Sequence, residues 1–146
     1  MNFKKIIKQN LEKIFNEKGF MYDTMRSKPN DATFVYSRGV TELQRSTKLQ
    51  IPKGMDLDLL KEFINNQINT PPEREEIIIY RNRWEPTITI DLRSIPKKQF
   101  KNLSFIVGFS SQKWWSISNE NEIEKSFEEI VELLNKYAWN WFDLEL

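Results

Sequence analysis

Hydrophobic positions open the chain at helical spacing: Phe3, Ile6, Ile7, Leu11, Ile14 and Phe15 form one stripe, with lysines and Glu12 mostly between them. The pattern predicts an amphipathic helix over 3–18, facing the core along that stripe. Gly19 stands where a left-handed helix terminator belongs. The period then shortens. Residues 20–26 and 32–38 are short, aromatic and β-prone, and the segment from Ser27 through Pro29 to Asp31 between them is a dense turn signal. A third run over 40–51 puts Leu43, Thr47, Leu49 and Ile51 on one parity. Three successive strands with short links predict an antiparallel meander with one wet face.

Pro52 and Gly54 break this pattern, and Asp56 is placed to cap a second helix with Leu57, Leu60, Phe63, Ile64 and Ile68 as its stripe. Pro71 and Pro72 stop it. Residues 76–80 and 87–93 read as strands; in the second, Ile88, Ile90 and Leu92 alternate with Thr89, Asp91 and Arg93. A basic connector follows over 96–102, then a strand over 103–109 and a short one over 114–117. The last helix is predicted over 120–137, with Ile123, Phe127, Ile130, Val131, Leu134 and Ala138 on its stripe and Asn119 or Asn121 as its cap. Strands cluster rather than alternating with helices. The prediction is one α+β domain over 1–146 with a mainly antiparallel sheet packed against helices, in the order α-βββ-α-ββ-ββ-α.

The 146 residues suffice for one domain with a real core, and 13% aromatic residues compensate for a modest 39% hydrophobic content. The chain has neither cysteine nor histidine. Disulfides, thiolate metal sites and the usual general base near neutral pH are therefore excluded, and with them Ser-His and Cys-His catalysis. Any catalysis would rest on carboxylates, lysine, tyrosine or a carboxylate-held Mg²⁺; no catalytic residue, cofactor or metal ligand is expected. No secretory-type leader and no run of 18 apolar residues occur, so a cytoplasmic, soluble protein without a membrane partner is expected.

Charge is unevenly spread. Residues 119–146 carry eight acids against Lys125 and Lys136, a net of −6, whereas residues 1–118 hold 20 basic and 13 acidic groups, a net of +7. Glu120, Glu124, Glu128 and Glu132 recur every fourth residue on the last helix. The plain interpretation is a solvated acidic face, or one neutralised by Lys97, Lys98 or arginines of the same chain; the sharper one is a patch that steers a basic protein partner to the surface.

Other constellations each have an ordinary explanation. Asp56 and Asp58 suit a helix start better than a metal. Glu73, Glu75 and Glu76 with Asp91 could hold Mg²⁺ if strands brought them together, the basis of an alternative reading as a metal-dependent carboxylate enzyme. The four glycines are scattered and make no phosphate loop. Arg74, Arg81, Arg83, Arg93, Lys97, Lys98 and Lys101, with Tyr80 and Trp84 among them, are a second alternative: a single-stranded nucleic-acid platform, disfavoured by the near-neutral total. Adjacent Trp114 and Trp115 cannot both enter one core if that segment is extended, so one of them belongs at a surface.

The C-terminal block also carries a resemblance. Lys113-Trp114-Trp115-Ser116-Ile117, an acidic helix with Phe127, Ile130, Leu133 and Leu134, then Lys136-Tyr137-Ala138 and Trp141-Phe142-Asp143, resembles the end of a bacterial family of unknown function, domain family 4304. The opening fits in layout: a helix ending near Gly19, then short strands with Phe34 and Tyr36. The resemblance implies a small bacterial α+β protein and brings no catalytic residues with it. The expected role is a non-enzymatic protein-binding module, immunity- or antitoxin-like, with Trp84, Trp114, Trp115, Trp141 and the four glutamates Glu120, Glu124, Glu128 and Glu132 as partner-binding candidates.

Overall fold

The computed structural model describes residues 2–39, 58, 74–94 and 99–143. The first helix combines α-helical Phe3–Ile7 and Lys13–Glu17 with a π-helical turn between them, Lys8–Glu12. Its buried positions, Phe3, Ile7, Leu11 and Phe15, are spaced strictly by four. In a regular α-helix each four-residue step drifts by about 40° around the axis. The wider π turn takes up that drift and returns Leu11 and Phe15 to the face that Phe3 and Ile7 occupy. Gly19, at φ 85°, ends the helix as predicted. The Phe20 amide donates to the Phe15 carbonyl at 2.9 Å and the Gly19 amide to Asn16 at 3.0 Å, the paired bonds of a Schellman terminus.

A six-stranded sheet follows: β1 (Met21–Tyr22), β2 (Thr33–Arg38), β3 (Glu75–Arg81), β4 (Thr87–Ser94), β5 (Gln99–Asn102) and β6 (Trp115–Ser116). The order is β1-β2-β3-β4-β5, with β6 joining β4, and every ladder is antiparallel. The α+β class with a mainly antiparallel sheet is thus the observed one. The outer edge of β4 is shared: Asp91–Ser94 pairs with β5, and Thr87 and Ile88 pair with β6.

Three expectations are corrected. Residues 103–109 are not a strand; Leu103–Ile106 is a short helix, because the Asn102 side chain accepts from the Ser104 amide at 3.0 Å and turns the chain off the sheet. The basic connector over 96–102 ends as strand β5, since Gln99–Asn102 completes the edge of β4. The sheet also lacks a fully wet face where β2, β3 and β4 meet, because Val35, Ser37, Glu76, Ile78 and Thr89 are buried. The third strand expected over 40–51 and the second helix over 56–68, apart from Asp58, lie outside the described residues.

The core lies between the other sheet face and the two long helices. Ile77, Ile79, Ile88, Ile90 and Leu92 are wholly buried there with Phe34 and Tyr36, while Thr89 and Arg93 take the opposite face by alternation. The last helix runs through Glu120–Leu133, a second π turn at Leu134–Ala138, and Trp139–Asp143, beyond the predicted end at 137. Asn119 caps it, accepting from the Glu122 amide at 2.9 Å. Its buried Ile130, Leu134, Ala138 and Phe142 again step by four, and the π turn again realigns them. Aromatic rings tie the layers together: Phe3 meets Phe34 edge-on at 4.8 Å, Phe15 meets Tyr36 at 4.8 Å, and Trp139 reaches both Phe15 and Phe20. Each such pair contributes about 0.5–1.5 kcal/mol beyond area burial.

Candidate functional site

The tryptophans divide by face. Trp115, on β6 opposite Ile88, is buried, whereas its neighbour Trp114, just before the strand, is partly exposed. Trp139 is buried against Phe15 and Phe20, and Trp141 packs at the margin of the core edge-on to Phe142 at 5.0 Å. Trp84 projects from the β3–β4 hairpin and is 92% exposed. Asn82 holds that turn by accepting from the amides of Trp84 and Glu85, at 2.8 and 3.3 Å.

The acids of the last helix also separate. Glu122 accepts from the hydroxyls of Ser116 and Ser118, and these hydrogen bonds, that from Ser116 first, hold its carboxyl below the ordinary glutamate pKa. Glu129 pairs with Lys113 at 2.5 Å, on the side that meets the chain leading into β6. Glu120, Glu124, Glu128 and Glu132 project from another side and are all exposed. Glu132 pairs with Lys136 at 3.4 Å, but Glu120, Glu124 and Glu128 form no ion pair with any described residue. Lys97 and Lys98, which could have neutralised the stripe, lie outside the described residues.

These four glutamates line one side of an open groove of about 880 Å³ between the first and last helices. Its floor is apolar: Ile6 from the first helix, and Ile123, Phe127 and Val131 from the last. Phe127 is buried, and the other three are partly exposed. Gln9 and Asn10 form the facing wall, and Asn135 lies toward the C-terminal end of the trough. All three amides belong to the π turns that realign the two helices. Two of these side chains are held in place: Asn10 Nδ2 donates to the Ile6 carbonyl at 2.8 Å, and Asn135 Oδ1 accepts from Trp139 Nε1 at 2.9 Å. The groove therefore has a carboxylate wall, an apolar floor and a neutral amide wall.

Sequence patterning singled out the glutamates but assigned the floor to the core, because Ile6, Ile123 and Val131 sit at the margins of helical stripes. The width of those stripes was the available signal, since each is broader than one buried row needs. No candidate tryptophan lines the groove.

The alternative constellations are dispersed. Glu75 and Glu76 point to opposite sheet faces; Glu75 accepts from Arg38 Nε at 2.9 Å, and Glu76 pairs with Arg26. Asp91 lies on the face of Glu76, where burial raises its carboxyl pKa and the hydrogen bond from Asn102 opposes that rise. Among the described residues no three carboxylates gather to hold a metal. The basic residues do not form one stripe: Arg81 stacks over Phe3 on the helix-packed face, while Arg93 approaches Glu76 on the other. No helix among the described residues is long and apolar enough to cross a membrane. Comparison with protein-family models, curated proteins and solved structures finds no match to this chain.

Proposed function

We propose that this protein is a non-enzymatic binding module whose groove between the first and last helices receives a basic protein partner. The observation that carries this reading is the row Glu120, Glu124 and Glu128, exposed, without counter-ions among the described residues and beside an open apolar floor. Like charges four residues apart cost a helix about 0.2–0.5 kcal/mol per pair, so their retention calls for a compensating use. A carboxylate row over an apolar surface supplies one. The charges speed encounter with a cationic partner, and burial of the floor slows its release. The nearest concrete role is immunity- or antitoxin-like: occluding a basic surface of a cognate toxin. The likeness of the C-terminal block to domain family 4304 is compatible with this role and adds no activity to it.

Photocrosslinking tests the reading. A photoreactive residue placed at Gln9, on the neutral wall, should capture one basic protein in the native cell. Capture should fall at least tenfold when Glu124→Lys and Glu128→Lys are introduced together. Capture of nucleic acid instead, or of the same protein undiminished by charge reversal, would overturn it.

A further inference from the structure

We infer that the occupant of this groove is a basic amphipathic helix of about four turns, laid along the last helix with its cations on one flank only. The inference rests on the groove being the binding site for a basic partner and adds the conformation and charge pattern of the bound segment.

Three features carry it. The first is the hydrogen-bonding character of the walls. Both are helices, whose interior backbone groups are already paired, so among the described residues the groove offers no sheet edge. An extended segment laid there would leave its own N–H and C=O groups facing hydrocarbon and carboxylates, whereas a helix satisfies its backbone internally. The second is repeat length. Glu120, Glu124, Glu128 and Glu132 advance by about 6 Å per step, and lysines or arginines four apart on a ligand helix advance by the same amount. The lining runs from Glu120 to Asn135, about 22 Å of helix, which a ligand of about 15 residues spans.

The third feature is asymmetry. Carboxylates occupy one wall, while Gln9 and Asn10 present neutral amides on the other. A ligand with cations on both flanks would set half of them against amides that cannot neutralise them. One basic flank along the four glutamates, an apolar stripe for Ile6, Ile123, Phe127 and Val131, and a polar second flank where the ligand passes Gln9 and Asn10 match what the groove presents. A simple polycation would use the wall and leave the floor uncovered.

A labelled 15-residue peptide with leucines at helical spacing and lysines along one flank serves as the probe, followed by fluorescence anisotropy and circular dichroism. The expected result is saturable binding with gain of helicity, weakened at least tenfold by Glu124→Lys with Glu128→Lys and weakened again by raised salt. A peptide of the same composition broken by two internal prolines should bind at least tenfold more weakly. A floor variant, Val131→Gln, should weaken the leucine peptide while leaving a plain oligolysine unchanged. Equal binding of the proline-broken peptide would overturn the helical occupant and leave a basic partner standing. Binding of neither peptide to protein that melts as the unmodified chain does would overturn both readings.

Discussion

Arg26 and Glu76, fifty residues apart, form an ion pair on the sheet face away from the helices, with Arg26 Nε 3.1 Å from Oε2 of a carboxylate whose side chain is fully buried. Arg26 Nη2 adds a second contact at 3.4 Å to Oε1, while Arg93 stands farther off at 3.8 Å. The pair anchors the turn after β1 to the middle of the sheet. Arg26→Ala leaves that carboxylate buried with one distant cation and should lower stability by about 1–3 kcal/mol, measured by urea unfolding. Replacing both partners with apolar residues should restore most of the loss, because the cost lies in the orphaned charge rather than in the absent bond.

Trp114 and Trp115 should differ sharply although they are adjacent. Trp115→Ala removes a buried side chain opposite Ile88 and should cost about 3–5 kcal/mol. Trp114→Ala and Trp84→Ala, at exposed positions, should change stability much less, with Trp84→Ala within about 0.5 kcal/mol. Trp115→Phe should fall well below Trp115→Ala, since the indole N–H has no acceptor among the described residues to lose. Chemical denaturation of the four variants checks the order.

Stability should respond to pH in opposite senses at two carboxyls. Asp91 has a raised pKa in the folded state, caused first by burial, so the fold binds its proton more tightly than the unfolded chain. Its contribution is therefore full in acid and lost as pH rises from about 3.9 through the raised value. Asp91→Asn should gain on the parent protein over that interval. Glu122, held low by the Ser116 and Ser118 hydroxyls, contributes above the ordinary glutamate pKa and loses that contribution as pH falls through its lowered value. Glu122→Gln should lose ground to the parent above pH of about 4.3 and converge with it in acid. Melting curves across acid pH separate the two; the same slope in both variants would contradict these signs.

Neutralising the groove wall should stabilise the isolated protein. Glu124→Gln with Glu128→Gln removes every like-charge contact along the row from Glu120 to Glu132, for a gain on the order of 1 kcal/mol at low salt. The gain should shrink as salt rises. A loss of stability would mean that these carboxylates hold the helix through contacts inside the chain.

Gly19→Ala should cost about 1–2 kcal/mol. The position sits at φ 85°, and among the described residues an added Cβ would meet Arg38 Cδ at an unstrained 3.9 Å, so the penalty is conformational rather than steric. Equilibrium unfolding measures it directly.

Much of this architecture was readable from local chemistry. The stripe from Phe3 to Phe15, the terminator Gly19, the alternation of Ile88, Ile90 and Leu92 and the cap Asn119 each depend on forces that act within a few residues. Which members of those stripes are buried, a row stepping by four, and the π turns that realign it appear only once both helices pack on one sheet. Tertiary structure decided the rest. Residues 103–109 carry a strand-like composition yet leave the sheet, because β5 and β6 already share the edge of β4 and Asn102 caps a helix in between. The face bearing Val35, Glu76 and Ile78 became buried, which alternation within a strand cannot reveal. Ile6, Ile123 and Val131 became a groove floor rather than sealed core for the same reason: periodicity reports which side of an element is apolar, whereas the separation between two packed helices determines how much of that side water can still reach.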